Sequence, residues 1–122
     1  MRMILTATAV FVVALSACGS NSDTSQAGLP SVVVTTSIAG DMVTAALGDL
    51  VGSELTVDVI TPVGADAHEF APSAKQAETM ENADLLVVSG LGYEEGMTDL
   101  IANAMDAGAI TFVLGGALEP SE

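Results

Sequence analysis

The sequence predicts an α/β fold, a parallel sheet with helices on both faces. Two observations carry this. Short runs of consecutive apolar, often β-branched residues alternate with stretches whose apolar residues recur at helical spacing. The short runs are apolar throughout instead of alternating with polar residues, which fits strands covered on both sides.

The elements follow in order. Val32 to Thr36 is a β-branched run after Pro30 and reads as a buried strand. Ser37 is placed to cap a helix beginning near Ile38. Ile38, Met42, Ala45, Ala46 and Leu50 share one helical face, with Gly48 near the end. Leu55 to Ile60 is a second strand, closed by Thr61 and Pro62. Ser73 with Gln76 three residues on forms a capping box after Pro72, and the short helix runs to about Asn82. Asp84 to Ser89 is a third strand. Met97, Leu100, Ile101, Ala104 and Met105 mark one face of a longer helix, and Gly108 is placed to cap it. Ala109 to Leu114 is a fourth strand.

Ahead of these elements, Arg2 precedes the apolar run Ile4–Leu15, too short for the ~20 residues a helix needs to span a bilayer. A basic start, a short apolar run and then small residues is the pattern of a secretory signal. The run ends Leu15-Ser16-Ala17-Cys18, which resembles a bacterial lipobox. Residues 1–17 are therefore read as a lipoprotein signal peptide and Cys18 as the lipidation site. The alternative is an ordinary signal peptide with an incidental Cys. Residues 18–30, rich in Ser, Gly, Asn and Gln, read as a lipid-anchored flexible tether. The expected location is extracytoplasmic, tied to the cell membrane by two or more acyl chains.

Composition narrows the function. The 122 residues carry sixteen acids against two bases, Arg2 and Lys75, for a net charge of -14. Phosphate binding needs clustered Lys and Arg, so nucleic acid is excluded as a partner. The half-hydrophobic composition excludes disorder. One Cys excludes an intrachain disulfide.

The chemistry concentrates between Pro62 and Ser73, where the chain leaves a strand and enters a capped helix. Ligands of open α/β sheets bind at the carboxyl ends of strands. The only His of the chain, His68, sits there between Asp66 and Glu69. Neutral imidazole is a common metal ligand, and a carboxylate on its other nitrogen fixes the tautomer. Asp66 and Glu69 are the candidates for that supporting role. By spacing alone, a lone His in a polar loop is more often a surface residue than a ligand. Gly90, Gly92 and Gly96 follow the third strand in a turn close to a dinucleotide fingerprint. Glu94 and Glu95 would place negative charge where pyrophosphate should sit, so this reads as a tight turn with acids stabilising a helix start. Asp41, Asp49, the Glu78/Glu81 pair and the Asp99/Asp106 pair read as solvated faces.

Three segments in order resemble the zinc/manganese solute-binding lipoproteins of ABC importers, the TroA-like group: VVVTTSIAGDMVTAALGD, TVDVITPVGADAHEFAPS and ADLLVVSGLGYEEGMTDLIANA. That group carries a Gly-x-Asp-Pro-His-x-Tyr/Phe-x-Pro pattern. Gly64, Asp66, His68, Phe70 and Pro72 match it, while Ala67 replaces the Pro. The resemblance implies that His68 is a metal ligand. It implies capture of Zn²⁺ or Mn²⁺ outside the membrane for delivery to an ABC permease, with no enzymatic step. Residues 31–122 then correspond to an incomplete N-terminal lobe of a two-lobed metal-receptor fold. A fragment, a disrupted gene or half of a split pair would all fit, and the remaining metal ligands of the group have no counterpart in the chain. The competing reading is an acidic surface lipoprotein domain that makes only protein contacts, its metal site lost.

Overall fold

The computed structural model describes residues 28–118. The signal peptide, Cys18, most of the tether and the last four residues lie outside the described residues. No described helix is long and apolar enough to cross a membrane.

Four strands form one parallel sheet: β1 (Ser31–Val34), β2 (Thr56–Val59), β3 (Leu85–Val88) and β4 (Ile110–Val113), in the order β2-β1-β3-β4. Three helices connect them: α1 (Ser37–Leu47), α2 (Ala74–Glu81) and α3 (Thr98–Ala107). The step from β1 to β2 runs one way across the sheet, and the steps to β3 and β4 run the other way. Right-handed crossovers therefore put α1 on one face and α2 with α3 on the other. The core divides accordingly. Val33, Leu86 and Val88 pack with Ile60, Met80, Met97 and Ala104 beneath α2 and α3. Val32, Val34 and Val87 pack with Ala39 and Val43 beneath α1.

The expected α/β fold with helices on both faces is present, and several local expectations need correction. Thr36, not Ser37, caps α1: it is extended, and its hydroxyl accepts from the Ala39 N–H at 3.3 Å. The face of α1 turned to the sheet is Ala39, Gly40, Val43 and Leu47, while Ile38, Met42, Ala45, Ala46 and Leu50 are exposed. The cause is close approach, since a Cβ on Gly40 would stand 2.6 Å from a Val59 methyl. Small residues at 39 and 40 let the helix sit down on the sheet, and the larger apolar residues are left outside. Burial on both faces holds for β1 and β3 but not for β2 and β4, which are the sheet edges and are largely exposed. On α3, Met97 and Ala104 are buried as expected, whereas Met105 is exposed. The capping box of Ser73 and Gln76 is complete, and Gly108 closes α3 in a left-handed conformation at φ 104°.

Candidate metal centre

β1 and β3 lie side by side and their onward connections leave in opposite directions, so the carboxyl ends of these strands form the switch point of the sheet. Glu94 ties this point together. Its side chain is buried, 4% exposed. The carboxylate accepts from the Thr35 hydroxyl beyond β1 and from the backbone N–H groups of Ser89 (2.6 Å) and Gly90 (3.0 Å) beyond β3. A second link joins the Thr36 and Ser89 hydroxyls at 2.8 Å. The Gly-rich turn thus spends two of its N–H groups on its own glutamate. A phosphate would have to displace that carboxylate, so the turn is not a dinucleotide cradle. Beside it, Ile38, Met42, Leu91 and Tyr93 wall an apolar crevice of about 290 Å³.

The chain after β2 carries the predicted ligand. Gly64, at φ 87°, turns the chain after an Ala65 N–H to Pro62 carbonyl bond of 3.1 Å. The Asp66 carboxylate then accepts from the backbone N–H of His68 at 3.0 Å. The His68 carbonyl accepts from the Gly96 N–H, also at 3.0 Å. A Cβ on Gly96 would lie 2.8 Å from the Phe70 carbonyl oxygen and 3.2 Å from that of His68, so the two loops meet backbone to backbone. Ala67 is buried beneath the turn. His68 is thereby held by two backbone hydrogen bonds while its ring stays half exposed.

The two carboxylates nearest in sequence do not touch the ring. Asp66 braces the backbone, Glu69 is exposed, and the acid on the imidazole is Glu95, whose Oε2 lies 2.7 Å from His68 Nε2. Sequence spacing gave no sign of this pair, because Glu95 belongs to the loop after β3. The 3-10 turn Glu95–Met97 sends Glu94 inward and Glu95 outward. One imidazole nitrogen and one carboxylate oxygen suit a borderline divalent cation such as Zn²⁺, and also Mn²⁺. A tightly held zinc takes about four ligands. Among the described residues, no group of three or more His, Cys, Asp or Glu side chains is gathered for a metal. The acids at 41, 49, 78, 81, 99 and 106 are all exposed.

In open parallel sheets ligands bind at the carboxyl ends of the strands, and here His68 and Glu95 stand on the loops that follow β2 and β3. The chain belongs to the zinc-uptake complex component A periplasmic family, whose model matches residues 32–121. It is 31% identical over 114 residues to the manganese-binding lipoprotein MntA of Halalkalibacterium halodurans, covering 90% of this chain and 37% of that protein. It is 35% identical over 95 residues to the iron ABC transporter substrate-binding lipoprotein MtsA of Streptococcus pyogenes serotype M1, covering 74% and 29%. Among solved structures, the Mn-bound periplasmic metal binding protein from Candidatus Liberibacter asiaticus superposes with a TM-score of 0.62 at 26% identity, covering 75% of this chain and 33% of that one. The periplasmic zinc binding protein TroA from Treponema pallidum superposes with a TM-score of 0.60 at 25% identity, covering 76% and 31%. The chain thus spans about a third of the length of these relatives, and the resemblance to an N-terminal region of TroA-like receptors holds.

Proposed function

We propose that this chain takes part in capturing a divalent transition metal, Zn²⁺ or Mn²⁺, outside the cytoplasmic membrane for delivery to an ABC permease. His68 is a ligand through a ring nitrogen, Asp66 holds its loop, and Cys18 carries the lipid that ties the protein to the membrane. The work is binding and release, with no bond made or broken in a substrate. The observation that carries this reading is His68 itself. A half-exposed imidazole stands at the strand ends on a backbone fixed from both sides. Family membership supports the same cargo class, since the relatives' names specify manganese, iron and zinc. The competing contact-only reading has no comparable support, because a lost metal site would not require the ring to be presented in this way.

Isothermal titration of the chain with Zn²⁺, beside His68→Ala, tests the proposal. The wild-type chain is expected to release binding heat that the variant lacks, and equal heats would overturn the role of His68. Binding weakens as the buffer is acidified, because a protonated imidazole cannot ligate. With no group of three or more His, Cys, Asp or Glu side chains gathered among the described residues, the affinity of this chain is expected to fall at least ~100-fold below that of a closed four-ligand site.

A further inference from the structure

We propose that Glu95 is a direct metal ligand, acting as a pair with His68. The inference rests on the reading of His68 as a ligand and adds a second donor from a different loop.

The geometry is that of two metal-binding atoms facing each other at close range. His68 Nε2 and Glu95 Oε2 stand 2.7 Å apart, a hydrogen-bond separation. A Zn²⁺ ion would sit about 2.0–2.1 Å from the nitrogen and about 2.0–2.2 Å from the oxygen. At a tetrahedral angle those lengths place the donors ~3.4 Å apart. The pair therefore needs to open by only ~0.7 Å for the metal to enter between the two atoms. Both side chains are free to make that adjustment, being 56% and 71% exposed. The backbones need not move, because the Gly96 N–H to His68 carbonyl bond already locks the two loops together one residue from Glu95. Glu95 also brings what His68 lacks, a negative charge directly against the cation. An oxygen donor further suits Mn²⁺ as well as Zn²⁺. Asp66 cannot supply this at its present position, since its carboxylate is committed to the His68 backbone N–H.

A second geometry is chemically distinct. Glu95 could keep its hydrogen bond to Nε2–H and leave Nδ1 to the metal, and it would then be a positioning residue. The two are separable because the chain contains a single histidine, so its ring nitrogens can be read without ambiguity. The experiment is a Zn²⁺ titration of the tag-free, ¹⁵N-labelled chain, following the His68 ring nitrogens by NMR. Titration calorimetry of wild type, Glu95→Gln, Glu69→Gln and His68→Ala accompanies it. The expected result is a zinc-induced shift at Nε2, with affinity lowered about tenfold or more by Glu95→Gln. Glu69→Gln is expected to match wild type and His68→Ala to abolish binding. Zinc on Nε2 with Glu95→Gln binding as tightly as wild type would overturn the proposal while leaving His68 a ligand. Zinc on Nδ1 with Nε2 still protonated would also overturn it. No ring shift, together with unchanged heat in His68→Ala, would remove the underlying reading as well.

Discussion

At Glu94, three donors from the ends of two strands converge on one carboxylate. Removing the acceptor leaves the Gly90 N–H without its partner, and leaves the Ser89 N–H and the Thr35 hydroxyl only long bonds of 3.4 Å, to the Thr35 hydroxyl oxygen and the Val87 carbonyl. Each buried group left unsatisfied costs about 1–3 kcal/mol. Glu94→Ala is therefore expected to destabilise the chain by about 1–3 kcal/mol, read as a lower urea midpoint with the slope of the transition unchanged. Glu94→Gln keeps one acceptor oxygen and is expected to lose less. An unchanged midpoint in Glu94→Ala would show that the buried network contributes nothing. In the sequence, Glu94 and Glu95 look alike, two adjacent acids at a helix start. What separates them is the 3-10 turn that precedes α3, which points one toward the switch point and the other toward His68. Adjacent residues on a turn have different neighbours, and no sequence spacing records which neighbours those are. His68 was legible for the opposite reason, because it lies in a loop whose place follows from the strand before it and the capped helix after it.

Among the elements, existence and type were readable while orientation was not. The four strands and three α-helices lie where their apolar runs and spacing place them, and the Ser73 capping box places the start of α2 to the residue, while the cap of α1 falls one residue earlier than expected. The face of α1 was not readable, because its 3.6-residue period admits two apolar stripes. The choice fell to the smaller one, where Gly40 permits contact with Val59. A different signal ties the strands at their amino ends. The Asp84 carboxylate accepts from the Ser31 N–H at 2.7 Å and from its hydroxyl at 3.0 Å, fastening the start of β3 to the start of β1. The Ser31 backbone N–H, and then its hydroxyl, hold the Asp84 carboxyl below its ordinary value of 3.8. These bonds favour the charged form, so the folded pKa lies under the unfolded one. Their stabilisation is therefore complete above the unfolded value and is lost as the pH falls through the folded value. Asp84→Asn is expected to lower the urea midpoint at pH 6, with the gap to wild type closing as the pH is taken below 4. A gap that stays constant down to pH 2 would remove Asp84 as a source of acid sensitivity.

For the molecule as a whole, alternation of strands and helices fixes a parallel sheet, but strand order decides which strands become edges. Burial on both sides was expected of all four strands, yet the order β2-β1-β3-β4 makes β2 and β4 the outermost, and β2 carries Asp58. The same order puts two helices on one face and, among the described residues, α1 alone on the other. The parallel register sets Ile110 beside Leu85 and Phe112 beside Val87, and Leu85 and Val87 belong to the face beneath α1. α1 covers the β1 side of that face. Beyond it, Phe112 and Leu114 line an apolar groove with Leu85 and Val87. Ile110 is 70% exposed and Phe112 is 49% exposed, so this part of the sheet meets water with large apolar side chains. Exposed apolar surface beside a parallel edge that is unpaired among the described residues favours self-association, and the charge of -14 opposes it by repulsion. Salt screens the repulsion while leaving the apolar attraction intact, with a Debye length of about 10 Å at 0.1 M and about 3 Å at 1 M. The 122-residue chain is therefore expected to associate more strongly in 1 M than in 0.1 M NaCl, seen as a sedimentation coefficient that rises with protein concentration. The double variant Ile110→Gln with Phe112→Gln removes apolar area without altering charge. It is expected to sediment as a single species in both salts, and association persisting in the variant would place the contact elsewhere on the molecule.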